Sequence, residues 1–113
     1  MDTMATIPES TKTSLTQRLN IRARERWTQI SRVSTRFRGS FAYVTAHLSD
    51  GDELPLMRLR YAGSARTWGF AIYRASHDDY ENSSLPDGSP AGDPETALDT
   101  ACGLYLTDPT AWT

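Results

Sequence analysis

The feature that most restricts the fold of this chain is an alternation of side-chain character on either side of one Asp-Gly pair. In residues 41–48 the aliphatic set is Ala42, Val44, Ala46 and Leu48, and the intervening set is Phe41, Tyr43, Thr45 and His47. A period of two is typical of a β-strand with one buried face, and Asp50-Gly51 favours the positive φ angles of a tight hairpin turn. The pattern predicts an antiparallel hairpin with its second strand over residues 54–61.

A third strand is predicted over residues 68–74, which completes a three-stranded antiparallel meander. A two-residue loop at Asp50-Gly51 places Val44 opposite Met57 and Tyr43 opposite Arg58. This register gives the sheet one aliphatic face and a second face of arginine and aromatic side chains. The second face is predicted to carry Phe41, Tyr43, Leu56, Arg58, Arg60 and Tyr73.

Helices are predicted on both sides of the meander. Ser14 and Gln17 form a capping-box pattern before an apolar stripe with helical spacing, which predicts a basic helix over residues 14–32. The stripe consists of Leu15, Leu19, Ala23, Trp27 and Ile30. The Asp-Pro-Glu sequence at residues 93–95 combines an N-cap acid with a proline at the first helical position, and predicts a second helix that residues 107–109 end.

The predicted fold is α+β, in the order α-β-β-β-α. The C-terminal helix is expected to pack on the aliphatic face, and the basic N-terminal helix to lie beside it or on the second face. Residues 1–13 are expected to form a flexible tail, and residues 14–113 a single domain, because a chain of this length has room for one modest core. Residues 75–92, rich in small polar residues, are predicted to be a long loop.

The cysteine content and hydropathy of the chain predict a cytoplasmic protein outside the membrane. Cys102 is the only cysteine, so no disulfide forms within the chain, and no apolar run reaches the length of a membrane span. The first 13 residues lack the apolar segment of a signal peptide.

Charge is sorted along the chain. Residues 1–38 hold eight cations against three anions, whereas residues 76–113 hold eight anions and no cation. The formal net charge of −2 conceals this asymmetry. It predicts either a basic surface that meets a polyanion, or a basic element that docks on an acidic one within or between chains.

The arginine and aromatic face of the sheet is the strongest functional candidate. Guanidinium groups and aromatic rings on one face can bind phosphates and stack on bases, so we predict a small non-enzymatic nucleic-acid-binding or accessory protein, with DNA as the expected partner. Helix arginines are expected to hold phosphates as well. The predicted contact residues are Phe41, Tyr43, Arg58, Arg60, Tyr73, Arg18, Arg22 and Arg26.

Three other interpretations fit the same residues. The acidic stretch could fold over Arg58 and Arg60 and neutralise them. The basic helix of one copy could dock on the acidic C-terminal surface of another, which would make the protein an interaction module or a homodimer. A small hydrolase is the remotest interpretation.

Catalytic, metal and cofactor sites are not predicted. The acidic cluster at residues 77–82 lacks the ligand spacing of an EF-hand loop. His47 and His77 stand outside any catalytic motif, and Cys102 lies in an apolar helical row, where a thiol is ordinarily inert. We therefore expect no enzyme activity, no metal and no cofactor.

Two resemblances accompany these patterns. The blocks at residues 55–61, 68–77 and 97–106 resemble a group of short uncharacterised actinobacterial proteins over roughly residues 36–112, which implies a bacterial cytosolic origin. Trp68-Gly69-Phe70 and the Pro-Glu-Thr-Ala sequence at residues 94–97 are similar in order to the three-strand-plus-helix arm-binding domains of tyrosine recombinases and to the plant AP2 fold. That likeness implies a sheet that enters the DNA major groove, although the acidic C-terminal third departs from it.

A double-stranded-RNA-binding domain has the same α-β-β-β-α order. Its second helix begins with lysines that hold phosphate, whereas this chain has the acidic sequence Asp93-Pro94-Glu95 there. The opposite charge argues against that family.

Overall fold

The computed structural model describes residues 6–74 and 77–105 and confirms the α+β class. Its elements in chain order are α1 (Glu9–Arg26), β1 (Ile30–Arg38), β2 (Phe41–Leu48), β3 (Glu53–Tyr61), β4 (Trp68–Arg74), β5 (Asp79–Asn82), β6 (Ala91–Gly92) and α2 (Pro94–Tyr105). The strands form one antiparallel sheet in the order β1-β2-β3-β4-β5, and β6 also pairs with β4. The three predicted strands are therefore the centre of a larger sheet.

The prediction of one helix over residues 14–32 was wrong at its C-terminal end. The helix ends at Arg26, and β1 begins at Ile30. Trp27 and Ile30 are buried as the apolar stripe indicated, but neither lies in the helix. Trp27 directly follows the helix, and Ile30 is the first residue of β1. The following residues are β-branched at Val33 and Thr35, which favours a strand over a helix.

The N-terminal end of α1 also differs from the prediction. The helix begins at Glu9, directly after Pro8, so Ser14 and Gln17 lie inside it. Pro8 cannot donate a backbone hydrogen bond, and Glu9 favours the positive end of the helix dipole. Part of the predicted tail is thus helical, and Ile7 and Thr11 are buried. Residues 1–5 lie outside the described residues.

The hairpin between β2 and β3 follows the predicted register over only half its length. Val44 pairs with Met57 as predicted, but Thr45 pairs with Pro55 because a bulge at residue 56 shifts the register by one. The turn holds one residue more than predicted, with Gly51 at a φ of 96°, and the bulge compensates for that residue. Leu56 was predicted to lie beside Arg58, but the bulge turns it into the core, where it is fully buried.

The predicted loop over residues 75–92 contains two short strands. β5 and β6 both pair with β4, and the excursion between them is held by Leu85, which is 5% exposed and belongs to the core. A Cβ atom at Gly92 would overlap the Cδ1 atom of Leu85. The absence of a side chain at Gly92 therefore lets this excursion close onto the core.

The predicted start of the second helix is confirmed. The backbone N–H of Thr96 donates to Asp93 Oδ2 at 2.9 Å, and the Thr96 hydroxyl donates to Oδ1 at 2.8 Å. Burial alone would raise the pKa of Asp93, but these hydrogen bonds outweigh it, so the pKa lies below its ordinary value. The predicted end of the helix at residues 107–109 lies outside the described residues.

Both helices pack on the aliphatic face of the sheet. Leu15 and Leu19 of α1 and Leu98 and Cys102 of α2 belong to one buried cluster with Val44 and its strand neighbours. The C-terminal helix lies where the sequence predicts, and α1 lies beside it rather than on the second face. No helix among the described residues combines the length and the apolar character needed to cross a membrane.

Replacement of Gly92 by alanine is expected to destabilise the protein by about 1–3 kcal/mol, because the new methyl group displaces the buried Leu85 side chain. Gly103 offers a matched control in α2, since a Cβ there meets no atom within 4 Å. Gly103→Ala is expected to stabilise by about 0.5–1 kcal/mol through the higher helix propensity of alanine. Urea unfolding of both variants measures the difference, and a Gly92→Ala protein as stable as the parent would contradict the packing described for Leu85.

Candidate nucleic-acid interface

The sheet face that neither helix covers, here called the open face, carries the arginine and aromatic side chains. The strand register places Arg36 opposite Tyr43, Tyr43 opposite Arg58, Arg58 opposite Ala71, and Ala71 opposite Asn82. By the same register the arginines of this face are Arg32, Arg36, Arg38, Arg58 and Arg60, and its aromatic residues are Phe41, Tyr43, Tyr73 and Tyr80. Arg58 is half-buried, and the other four arginines are exposed.

Arg58 lies between two aromatic rings. Its guanidinium carbon is 4.6 Å from the centroid of the Phe41 ring and 5.8 Å from that of Tyr80. Its Nη2 atom also donates a long hydrogen bond of 3.5 Å to Asn82 Oδ1. Arg36 stacks in the same way at 5.5 Å from the Tyr43 ring. These contacts hold two guanidinium groups in place without neutralising their charge.

Tyr80 joins the aromatic residues of the open face into one cluster. Its ring centroid is 5.4 Å from that of Tyr43 and 5.3 Å from that of Tyr73. Since β3 and β4 separate Tyr43 from Tyr80, the two rings lean across those strands, which accounts for the 2% exposure of Ala71 on a face without a helix. Burial raises the pKa of the Tyr80 hydroxyl above its ordinary value, so that group stays neutral at physiological pH.

A concave furrow of about 760 Å³ runs along β4 on the open face. Its floor is Gly69 and Ala71, the smallest side chains of that strand. One wall is formed by Phe41, Arg58 and Arg60, and the other by Asn82, Ser83, Pro90 and Ala91. The furrow forms because Gly69 of β4 lacks a side chain and lies opposite the long side chain of Arg60 on β3.

The basic face of α1 does not belong to this surface. Arg18 donates to both carboxylate oxygens of Glu95, at 2.8 and 2.7 Å, and Arg22 donates to Asp99 at 2.6 Å. These hydrogen bonds raise the pKa of both guanidinium groups. The Arg26 Nε atom lies 3.9 Å from Asp99 Oδ1. Arg18 and Arg22 of the first helix thus pair with acids of the second within one chain, and Arg26 lies close to one of the same acids.

The buried Trp27 ties the same network to the core. Its indole Nε1 donates to Asp99 Oδ1 at 2.9 Å, and the ring is 1% exposed. Asp99 therefore accepts hydrogen bonds from both Arg22 and Trp27, on the side of the sheet opposite the open face.

The acidic stretch extends the sheet and does not cover the arginines. Asp79 receives two hydrogen bonds from Arg74, at 2.9 and 2.8 Å, and these bonds lower the pKa of Asp79. Asp78 accepts a bond of 2.6 Å from the Tyr73 hydroxyl. Within residues 6–74 and 77–105, no carboxylate lies within 4.0 Å of the open-face arginines.

The predicted contact residues therefore divide into two groups. Phe41, Tyr43, Arg58, Arg60 and Tyr73 share the open face, as the alternation predicts. The predicted helix residues lie next to α2 instead, and these are Arg18, Arg22 and Arg26. Sequence reasoning missed Tyr80 and the arginines of β1, although the alternation of Val33, Thr35 and Phe37 with polar residues was a signal for a strand.

The described part of the chain also contains a cysteine and two histidines. Burial raises the pKa of the Cys102 thiol to about 12, so the thiol is protonated at neutral pH. His47 Nε2 lies 2.8 Å from the Ser34 hydroxyl. Among the described residues, no group of three histidine, cysteine, aspartate or glutamate side chains could hold a metal ion.

Comparisons with models of protein families, with curated proteins and with solved structures find no match to this chain. Among the described residues, the open face combines five arginines with an aromatic cluster.

Proposed function

We propose that this protein binds nucleic acid through the open face of its sheet. The observation that carries the proposal is the set of five arginines without a carboxylate partner among the described residues, next to the aromatic cluster of Phe41, Tyr43, Tyr73 and Tyr80. Unpaired cations on one face favour a polyanion, because bringing them together without counter-charges is otherwise unfavourable.

The residue types favour nucleic acid among polyanions. Arginine presents a planar group that binds phosphate through two parallel hydrogen bonds. Phe41 and Tyr80 orient the guanidinium of Arg58, and a ring system of this kind offers surfaces on which bases stack. Exposed arginines can also keep protein copies apart by charge repulsion, but that role would not require aromatic residues beside the charges.

Binding of fluorescently labelled DNA is expected to weaken about 10- to 100-fold between 50 and 200 mM salt. The reason is that three to four arginine–phosphate contacts release a similar number of counterions. Fluorescence anisotropy titrations at several salt concentrations, with the logarithm of the affinity plotted against that of the salt concentration, measure the number of contacts.

Absence of binding at 50 mM salt would contradict the proposal. Affinity that does not change with salt would show that the arginines are not the contact groups. A probe of the same length with a neutral backbone serves as the control, since it keeps the bases and removes the phosphate charges.

The interpretation as a homodimer formed by docking of the basic helix stays a prediction. Two arginines of the basic helix, Arg18 and Arg22, already pair with Glu95 and Asp99 of the acidic C-terminal third within one chain. These acids are therefore already occupied, and the open face is the better candidate for binding a partner.

A further inference from the structure

We infer that the furrow along β4 receives an unpaired nucleobase, so that the protein binds single-stranded nucleic acid in preference to duplex. This inference rests on the function proposed above and specifies the form of the ligand. It is carried by the shape of the furrow, the character of its floor and the position of the charges along one wall.

The floor of the furrow suits a flat aromatic ligand. Gly69 has no side chain and is partly exposed, so its backbone faces the furrow, whereas Ala71 is only 2% exposed beneath the aromatic cluster. The Phe70 side chain belongs to the core, so this residue can line the furrow only through its backbone. A larger side chain could not replace Gly69 without cost, because a Cβ there would lie 3.3 Å from the Cβ of Arg60. The volume of about 760 Å³ falls within the range of small-molecule sites, about 300–1,000 Å³.

The two walls differ in chemistry, and that difference orients the ligand. Arg58 and Arg60 lie on one wall, where they can bind the phosphates on either side of an inserted base. Asn82 on the other wall accepts a long hydrogen bond of 3.5 Å from Arg58, so the two walls meet above Ala71 and the space for a ligand lies over Gly69. With its phosphates at Arg58 and Arg60, an inserted base would lie over Gly69 and toward Ser83 and Ala91.

A duplex does not fit this arrangement. Its bases are paired and stacked inside the helix, so a duplex can offer phosphates to Arg58 and Arg60 but no free ring to the furrow. Single strands expose every base, and stacking of one base on a protein surface is sequence-tolerant. The aromatic cluster at the Tyr73 end of β4 supplies further stacking surface for the neighbouring base.

Ala91→Leu tests the inference because it fills the furrow from the uncharged wall. Ala91 lies opposite Gly69 in the register and is partly exposed, so the larger side chain extends into the furrow rather than into the core. Ala91→Ser is the matched control of small volume. Ala62→Leu, at an exposed position on the opposite rim, is a second filling variant that does not depend on the fold of β6.

Three probes separate charge from base recognition: a labelled 12-nucleotide single-stranded DNA, the duplex formed with its complement, and inorganic polyphosphate, which carries charge without bases. The parent protein is expected to bind the single strand at least about tenfold more tightly than the duplex. Both filling variants are expected to lose about tenfold in single-strand affinity and to change less than about twofold for polyphosphate. Ala91→Ser is expected to match the parent.

The possible negative results distinguish a failure of the furrow inference from a failure of the proposed function. Equal affinity for single strand and duplex, or filling variants that bind the single strand as well as Ala91→Ser does, would overturn the furrow inference and leave nucleic-acid binding intact. No binding of either DNA probe would overturn the proposed function together with this inference. Equal losses for the single strand and polyphosphate would also overturn the inference, because the furrow would then act through charge alone.

Discussion

Replacing Arg58 and Arg60 together by alanine is expected to weaken DNA binding about 10- to 100-fold at 50 mM salt. Each arginine is expected to contact one phosphate, and a loss of about 1.4 kcal/mol at each site corresponds to tenfold in affinity. Arg58 has the larger expected share, because its contacts with Phe41 and Tyr80 hold its guanidinium in place before a ligand arrives. Fluorescence anisotropy with labelled DNA measures the change.

Two control variants separate the effect of the position on the open face from the effect of the protein's net charge. Arg24→Ala with Arg66→Ala removes the same charge from exposed positions outside the sheet strands, and is expected to cost less than about threefold. Arg58→Lys with Arg60→Lys keeps the charge but loses the planar group that stacks and binds phosphate in a bidentate manner, so an intermediate loss is expected. Equal losses in the two alanine pairs would show that binding depends on net charge and not on the open face.

Asp99→Ala is expected to lower the free energy of unfolding by about 2–4 kcal/mol. The substitution leaves the buried indole N–H of Trp27 without its acceptor, and it removes the partner of Arg22. The Asp99 side chain is 22% exposed, so solvent replaces part of the lost pairing. For a domain of this size the melting temperature is expected to fall by more than about 10 °C. Thermal and urea unfolding measure both quantities.

Asp99→Asn and Glu81→Ala are the matched controls for this effect. The asparagine oxygen can still accept from Trp27, so a smaller cost of about 1–2 kcal/mol is expected from the lost pairing with Arg22. Glu81 is 58% exposed and lies 3.6 Å from Arg74, and its loss is expected to cost less than about 0.5 kcal/mol. If Asp99→Ala were as mild as Glu81→Ala, the contact between α1 and α2 would not depend on this network.

Local patterns predicted the centre of the sheet well. The alternation in β2 and the opposite faces of β3 follow from strand geometry, in which successive side chains point to opposite sides. The register of Val44 with Met57 was correct, whereas that of Thr45 was not, because the turn and the bulge at Leu56 each added one residue. The extra residue in the turn and the extra residue in the bulge cancel each other, so the average alternation along the strand does not reveal either of them.

The boundary between α1 and β1 shows where periodicity becomes ambiguous. Trp27 and Ile30 continue the helical spacing of Leu19 and Ala23, and both are buried as that spacing predicts. They are not buried by the helix, however, because the chain turns between them and Ile30 begins β1. A short apolar pair fits a helix and a strand equally well. Packing against β2 decided between them.

The candidate site was predicted only where the register between neighbouring strands could be read from the sequence. Phe41, Tyr43, Arg58 and Arg60 could be assigned to one face because they lie on neighbouring strands with a definable register. Tyr80 could not, since it lies within the polar stretch of residues 75–92, whose pairing with β4 depends on the whole sheet. The direction in which a helix arginine points is likewise set by the neighbouring helix.

The order of residues was sufficient for the α+β class, the central meander and the two-sided character of the sheet, because these depend on local geometry and on which side chains avoid water. The partners of the charges were decided only in three dimensions. Arg18 and Glu95 are 77 positions apart and form a pair because α1 and α2 share one face of the sheet. That docking pairs Arg18 and Arg22 and leaves the open face to Arg58, Arg60 and the arginines of β1. Electrostatic pairing depends on distance in space, which residue order along the chain does not specify.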